Sequence, residues 1–292
     1  MKLTMKRRIF IFGAGASLVS VPLWAAEQPA PLVIAVMDPL ALELACSCIP
    51  GFAQRKYRVL AEHLQKELGR PVVCVFSESL RATFTRSPTG KIDLLIGKDD
   101  IVKHDAKEFR LEIEPLAKLT DLEGKTTHHG IFVVEKNDPA RMLEDLASHK
   151  IIFGPEHSTE RRVEPVRMLR SSGVTIPGKP YSSTSEKDAV MEIFENEDAA
   201  VRVCALVAAQ SLKLMEGCQL IERGSLRILE RTPEVPFIAA FTAKAPGPET
   251  VTEIRKSLLA FGKDEKNCIA LESKKGFIAY EKEKEKETGH RA

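Results

Sequence analysis

The sequence predicts an α/β protein of two lobes, with a hinge of two extended crossings and a ligand cleft between the lobes. Three observations lead there. Short apolar runs alternate with helical periodicity from Pro31 onward, and a second series of the same kind begins near Ile131. Two extended stretches, 111–119 and 224–243, follow the first and second series.

In the first series, "LVIAVM" (32–37) reads as a strand. "RKYRVLAEHLQKELG" then places Leu60, Leu64 and Leu68 on one helical face and stops at Gly69, a residue that tolerates the left-handed backbone of a helix end. "VVCVF" (72–76) is a second strand, "SLRATFTR" a short helix and "IDLLIG" (92–97) a third strand, which together suggest a largely parallel sheet. "LEIEPLAKL" (111–119) is the first crossing. In the second series come the strand "IFVVE" (131–135), a helix "DPARMLEDLASH" with Pro139 in its first turn, the strand "KIIFG" (150–154) and a long helix from Ser158. The helix around "KDAVMEIFE" and the run "AAVRVCAL" complete it. The second crossing is "GSLRILERTPEVPFIAAFTA" (224–243), and the chain returns to helices at "ETVTEIRKSLLAFG" and near Cys268. Residues 31–119 and 225–280 are therefore assigned to lobe 1 and residues 120–224 to lobe 2. Residues 281–292 form a charged, solvated tail.

The chain has 292 residues, 43% hydrophobic and 29% charged, enough to bury two cores, so disorder is not its default state. Residues 1–26 read as an export signal peptide, with a basic start, a short apolar middle diluted by Gly13, Gly15, Ser17, Ser20 and Pro22, and small residues at the end. Cleavage is expected after Ala25, and the mature chain is expected to carry no transmembrane segment. Arg7-Arg8 before Ile9-Phe10 resembles a twin-arginine signal, although Lys6 stands where that motif has Ser or Thr. The signal holds Lys2, Lys6, Arg7 and Arg8, so its removal turns a formal charge of +2 into −2. Charge therefore gives no reason to expect nucleic acid as a partner.

Three passages carry a resemblance to the periplasmic solute-binding proteins of phosphate, phosphite and phosphonate ABC transporters, within the type II periplasmic binding protein fold. "MLEDLASHKIIFGPEHSTERRVEPVRMLRSSGV" (142–174) is similar to the family's strand, hydroxyl-rich turn and helix; "KIDLLIGKDDIV" (91–102) to its first-lobe strand and turn; and "LRILERTPEVPFIAAFTAK" (226–244) to its return crossing. The resemblance implies an oxyanion held at the helix N-terminus, where free N–H groups and about half a positive charge meet hydroxyls. His157, Ser158 and Thr159 stand in that place. Glu160 and Arg161 replace the small residues expected next; Glu160 opposes a doubly charged anion, and Arg161 or Arg162 is expected to offset it. A plain helix cap, worth about 1 kcal/mol, is the alternative role for Ser158 or Thr159. By position at carboxyl ends of strands, Asp38, Ser77 and Asp99 are further ligand-binding candidates, with Ser79, Lys98 and Asp100 beside them, and His129 joins them from "THHG" (127–130).

Six cysteines lie in the mature chain, and an exported location permits disulfides. Cys74 and Cys204 read as small buried hydrophobes, with Cys204–Cys218 as the pairing to test first. Cys46 and Cys48 in "ACSCIP" have three readings: a labile redox pair, ligands of copper(I) or zinc with His128 or His129, or thiols that are paired elsewhere or buried. No GxSxG, phosphate-loop, HExxH or double CxxC motif occurs, so no enzyme activity and no obligatory cofactor are expected. The expectation is an exported, periplasmic solute-binding protein that closes over a small anionic ligand, a phosphonate- or phosphate-like oxyanion. It would deliver that ligand to an ABC transporter permease or a membrane sensor. The alternatives are a metal-binding or redox accessory protein using Cys46 and Cys48, or a ligand-free interaction module on the same fold.

Overall fold

A computed structural model describes residues 29–45, 54–196, 200–243 and 247–281. The signal segment, Cys46, Cys48 and the tail beyond Glu281 lie outside the described residues. In chain order the elements are β1 (Leu32–Met37), α1 (Tyr57–Leu68), β2 (Val72–Phe76), α2 (Leu80–Arg86), β3 (Leu94–Lys98), α3 (Asp99–Glu108) and β4 (Ile113–Leu119). Then follow β5 (Thr127–His128), β6 (Gly130–Glu135), β7 (Lys150–Phe153), α4 (Glu164–Ser171), β8 (Tyr181–Ser182), α5 (Glu186–Glu195), β9 (Val203–Ala208) and α6 (Ala209–Gly217). The chain closes with β10 (Leu226–Arg231), β11 (Val235–Pro236), β12 (Ile238–Ala243), α7 (Pro248–Phe261), α8 (Glu265–Ala270) and β13 (Phe277–Ala279).

Two sheets organise two lobes. The first has the order β13-β4-β12-β3-β1-β2 and the second β10-β6-β9-β7-β8. Both are mixed, which departs from the largely parallel sheets expected: β1 runs parallel to β2 and β3, whereas β12 is antiparallel to both β3 and β4. The reason is the return crossing, which delivers β12 into the middle of the first sheet from the other lobe. Each sheet is covered on both faces, so its strands read as continuous apolar runs. Ile34 and Val36 pack with Leu60 and Leu64 of α1 and Ile254 and Leu258 of α7, while Ala35 and Met37 face Leu80, Val102 and Phe241. In the second sheet Ile131 and Val133 face Val190 and Leu212, and Phe132 and Val134 face Leu146, Leu169 and Cys204. Each fully buried leucine in these layers contributes about 2 kcal/mol.

Several local expectations are corrected. The 111–119 stretch is β4, a strand within the first sheet rather than a crossing. The crossings come later: β5 pairs antiparallel with β11, His128 opposite Val235, and this two-stranded ribbon joins the lobes. Pro139 lies before, not within, a helical turn, because the Asp138 carboxylate accepts from the Ala140 N–H and only Leu143–Ser148 winds, as a 3₁₀ helix. The helix expected from Ser158 begins as five residues of π-helix, Thr159–Val163, before α4. Cys204 sits in strand β9, and Cys74, Cys204, Cys218 and Cys268 are all free thiols. The Cys204–Cys218 pairing is therefore absent, and Cys204 is fully buried as a small hydrophobe, with its thiol pushed well above the ordinary value by burial.

Candidate functional site

The first lobe presents the end of β3 and the start of α3, and the second lobe presents the π-helical turn. Gly130, where the hinge ribbon enters β6, lets them meet. A Cβ at Gly130 would stand 2.0 Å from the Glu160 carbonyl oxygen, so only glycine allows the π-turn to pack on the strand. Thr232 locks the same point: its hydroxyl accepts from the Gly130 N–H at 2.8 Å.

Four groups converge there. The Lys98 ammonium of lobe 1 donates to the Glu160 carboxylate of lobe 2. Ser158 Oγ donates to Glu160 Oε2 at 3.0 Å. The Thr159 N–H, exposed at the helix N-terminus, donates to Asp100 Oδ2 at 2.7 Å across the cleft. His128 Nε2 lies 3.9 Å from Glu160 Oε2, beyond hydrogen-bond reach, and is buried with no partner. The other ring nitrogen of His128, Nδ1, faces the Gln210 amide nitrogen at 3.4 Å; the amide can only donate, so Nδ1 accepts and Nε2 carries the proton. The ring leans on Phe237 at 4.4 Å.

Burial sets the charges. Burial favours a protonated Glu160, but Lys98 and the partners around it win and hold the carboxyl at about 2. Burial alone lowers Lys98, and Glu160, Glu186 and Asp100 outweigh it, so the ammonium is held above its ordinary value. Asp100 is raised, by burial first and then by the charge of Glu160. His128 is pushed down to about 4, chiefly by burial, and is neutral at pH 7.

Of the residues singled out in the sequence, Ser158, Thr159, Lys98 and Asp100 stand in this cluster. His157 lies at its rim, its ring stacked on His104 of α3 with centroids 4.1 Å apart. The others turn to different partners. Asp38 is fully buried and saturated inside lobe 1 by Arg55 at 2.8 Å, the Tyr57 hydroxyl at 2.6 Å and the Leu40 N–H at 2.9 Å. Ser77 bonds the Ser79 carbonyl and the Thr83 hydroxyl. Asp99 takes Lys103 at 2.6 Å and the Tyr280 hydroxyl at 3.1 Å. His129 points opposite to His128, to Glu234 at 3.3 Å and Arg231 at 3.0 Å. Arg161 does not offset Glu160: its guanidinium bonds the Leu206 and Ser183 carbonyls beneath the turn. Arg162 lies over Phe153. Glu160, expected to oppose an anion, and His128, expected only as a metal ligand, are the residues of the cluster outside the expected ligand set. Lys98 was singled out by its position at the end of a strand, but its pairing with Glu160, 62 positions on, was not legible.

Two lobes of mixed sheet, a two-stranded hinge and a helix N-terminus at the cleft define a type II periplasmic binding protein. The chain belongs to the family of periplasmic substrate-binding proteins of phosphonate ABC transporters, whose model matches residues 50–285. Solved structures with the same fold include a binding-protein component of a phosphonate ABC transporter from Pseudomonas aeruginosa, 15% identical, with a TM-score of 0.65 over 87% of this chain and 82% of that one. PhnD1 from Prochlorococcus marinus, in complex with methylphosphonate, is 18% identical, with a TM-score of 0.64 over 86% and 93%. A Xanthomonas citri protein bound to ATP is 15% identical, with a TM-score of 0.63 over 87% and 92%. No curated protein sequence matches the chain. No described helix is long and apolar enough to cross a membrane.

Proposed function

We propose that this chain is exported to the periplasm and closes over a small ligand bearing a phosphate- or phosphonate-like oxyanion. It then delivers that ligand to an ABC transporter permease or a membrane sensor. Ser158, Thr159, Lys98 and His128 hold the anion. The observation that supports this reading most is that Ser158, Thr159 and Lys98 each already bind a carboxylate that the chain itself supplies. Asp100 sits on the Thr159 N–H, and Glu160 sits between Lys98 and the Ser158 hydroxyl. A tetrahedral oxyanion has the charge and acceptors to replace both carboxylates, and it reaches the unpartnered His128 Nε2 that Glu160 does not. Closure needs no chemistry, since contacts made only in the closed form shift the hinge equilibrium.

The test is thermal denaturation of the mature protein with phosphate, phosphite, methylphosphonate and ATP. At least one should raise the melting temperature. Ser158→Ala with Lys98→Met should abolish the rise, and Glu160→Gln should tighten binding about tenfold by removing the internal competitor. No rise with any oxyanion, or a rise indifferent to the double substitution, rejects the reading.

A further inference from the structure

His104, Asp105 and Glu108 lie on α3, at the mouth of the cleft and outside the cluster that holds Glu160. One ligand atom from each of the three lies within 4.8 Å of the others. His104 and Glu108 are four residues apart and so share one helical face. Asp105 uses Oδ2 to accept from the Leu80 N–H at 2.9 Å, and its second oxygen is left to a further partner. Glu108 reaches solvent and meets only Arg81 at 3.1 Å, an exposed pair of little strength. A second imidazole stands beside the group from the other lobe. The His157 imidazole lies against His104 at 4.1 Å with 11° between the ring planes. Nothing in the anion cluster requires either ring.

We propose that His104, His157, Asp105 and Glu108 form a binding site for a divalent transition metal, of the zinc or copper(II) class, that bridges the two lobes. Two imidazoles with two carboxylates match the ligand preferences of those ions and not the all-oxygen shell of calcium or magnesium. Both rings must be neutral to bind. The rings meet face to face, so one must turn to aim its nitrogen at the shared ion. His104 already has a nitrogen among the three clustered ligand atoms, so it is the half-buried His157 ring that turns. Ligand separations close from within 4.8 Å, by up to about 1.5 Å, to the roughly 3.3 Å edge of a tetrahedron with bonds near 2.0 Å. Because α3 and the turn before Thr159 belong to different lobes, the bound ion clamps the closed form.

The experiment is calorimetric titration of the mature protein with zinc chloride at pH 7.5, with a Cys46→Ser, Cys48→Ser background to remove thiol ligands. One equivalent should bind in that background, and the melting temperature should rise and then fall back on adding a chelator. His104→Ala should abolish binding, and His157→Ala should weaken it at least tenfold, with circular dichroism confirming that both variants fold. Zinc uptake that vanishes with the cysteines, or that survives His104→Ala, overturns the site. Uptake unchanged by His157→Ala overturns the bridge between lobes. Neither outcome bears on oxyanion binding, which the thermal panel tests separately.

Discussion

Protonating His128 means charging a ring that the fold keeps dry, beside a lysine. Its folded value of about 4 lies below its ordinary 6.5, so between those limits the unfolded chain binds a proton that the folded chain refuses. Stability from His128 is therefore complete above pH 6.5 and is lost as pH falls towards 4, by about 3 kcal/mol. Glu160 behaves as a depressed carboxylate: its contribution is complete above its ordinary 4.5 and is lost as pH falls towards about 2. Urea unfolding across pH 7 to 3 should show both slopes. His128→Asn should flatten the segment between 6.5 and 4, and Glu160→Gln should remove the slope below 4.5 while pushing the His128 transition lower still. A His128→Asn variant with an unchanged upper slope would place that proton elsewhere.

At the scale of elements, the contact between β6 and the π-turn is fixed by one missing methyl. Gly130→Ala drives a Cβ into the Glu160 carbonyl, and no flexible side chain is there to yield. The expected result is a loss of about 2 to 4 kcal/mol in denaturant unfolding, by the logic of overpacking at backbone. Equal stability in the alanine variant would show that the turn moves freely. Much of this level was legible in the sequence. Leu60 and Leu64 mark α1, and β1 and β2 appear as apolar runs in their observed places. Where reading failed, the cause was physical. The 111–119 segment is extended either way, and only the pairing of β4 with β12 and β13 shows that it belongs to a sheet. Alternation did say that His128 and His129 face opposite ways, but not which one faces the cleft. The Ser158-Thr159 turn was legible because its chemistry is local. Lys98–Glu160 was not, because it exists only when two distant segments close.

For the whole molecule, the cross-lobe pairs Lys98–Glu160 and Asp100–Thr159 act on shape more than on stability, since desolvation offsets much of the gain from a buried ion pair. Removing both carboxylates, Asp100→Asn with Glu160→Gln, should shift the ligand-free protein towards an open form. Small-angle X-ray scattering should then give a larger radius of gyration, and addition of a binding oxyanion should restore the smaller one. An unchanged radius would mean that the hinge ribbon alone sets the closed form. Glu160 also has a kinetic side. For a ligand that enters by displacing it, the carboxylate is a rival on a two-residue leash from the Ser158 hydroxyl, present at an effective concentration on the order of millimolar or above. That rival divides the apparent affinity of every such solute by the same factor, so a weakly binding one needs a correspondingly higher concentration to displace it. The cleft thus carries a handicap written into its own covalent chain, one that only intrinsic affinity or abundance can offset.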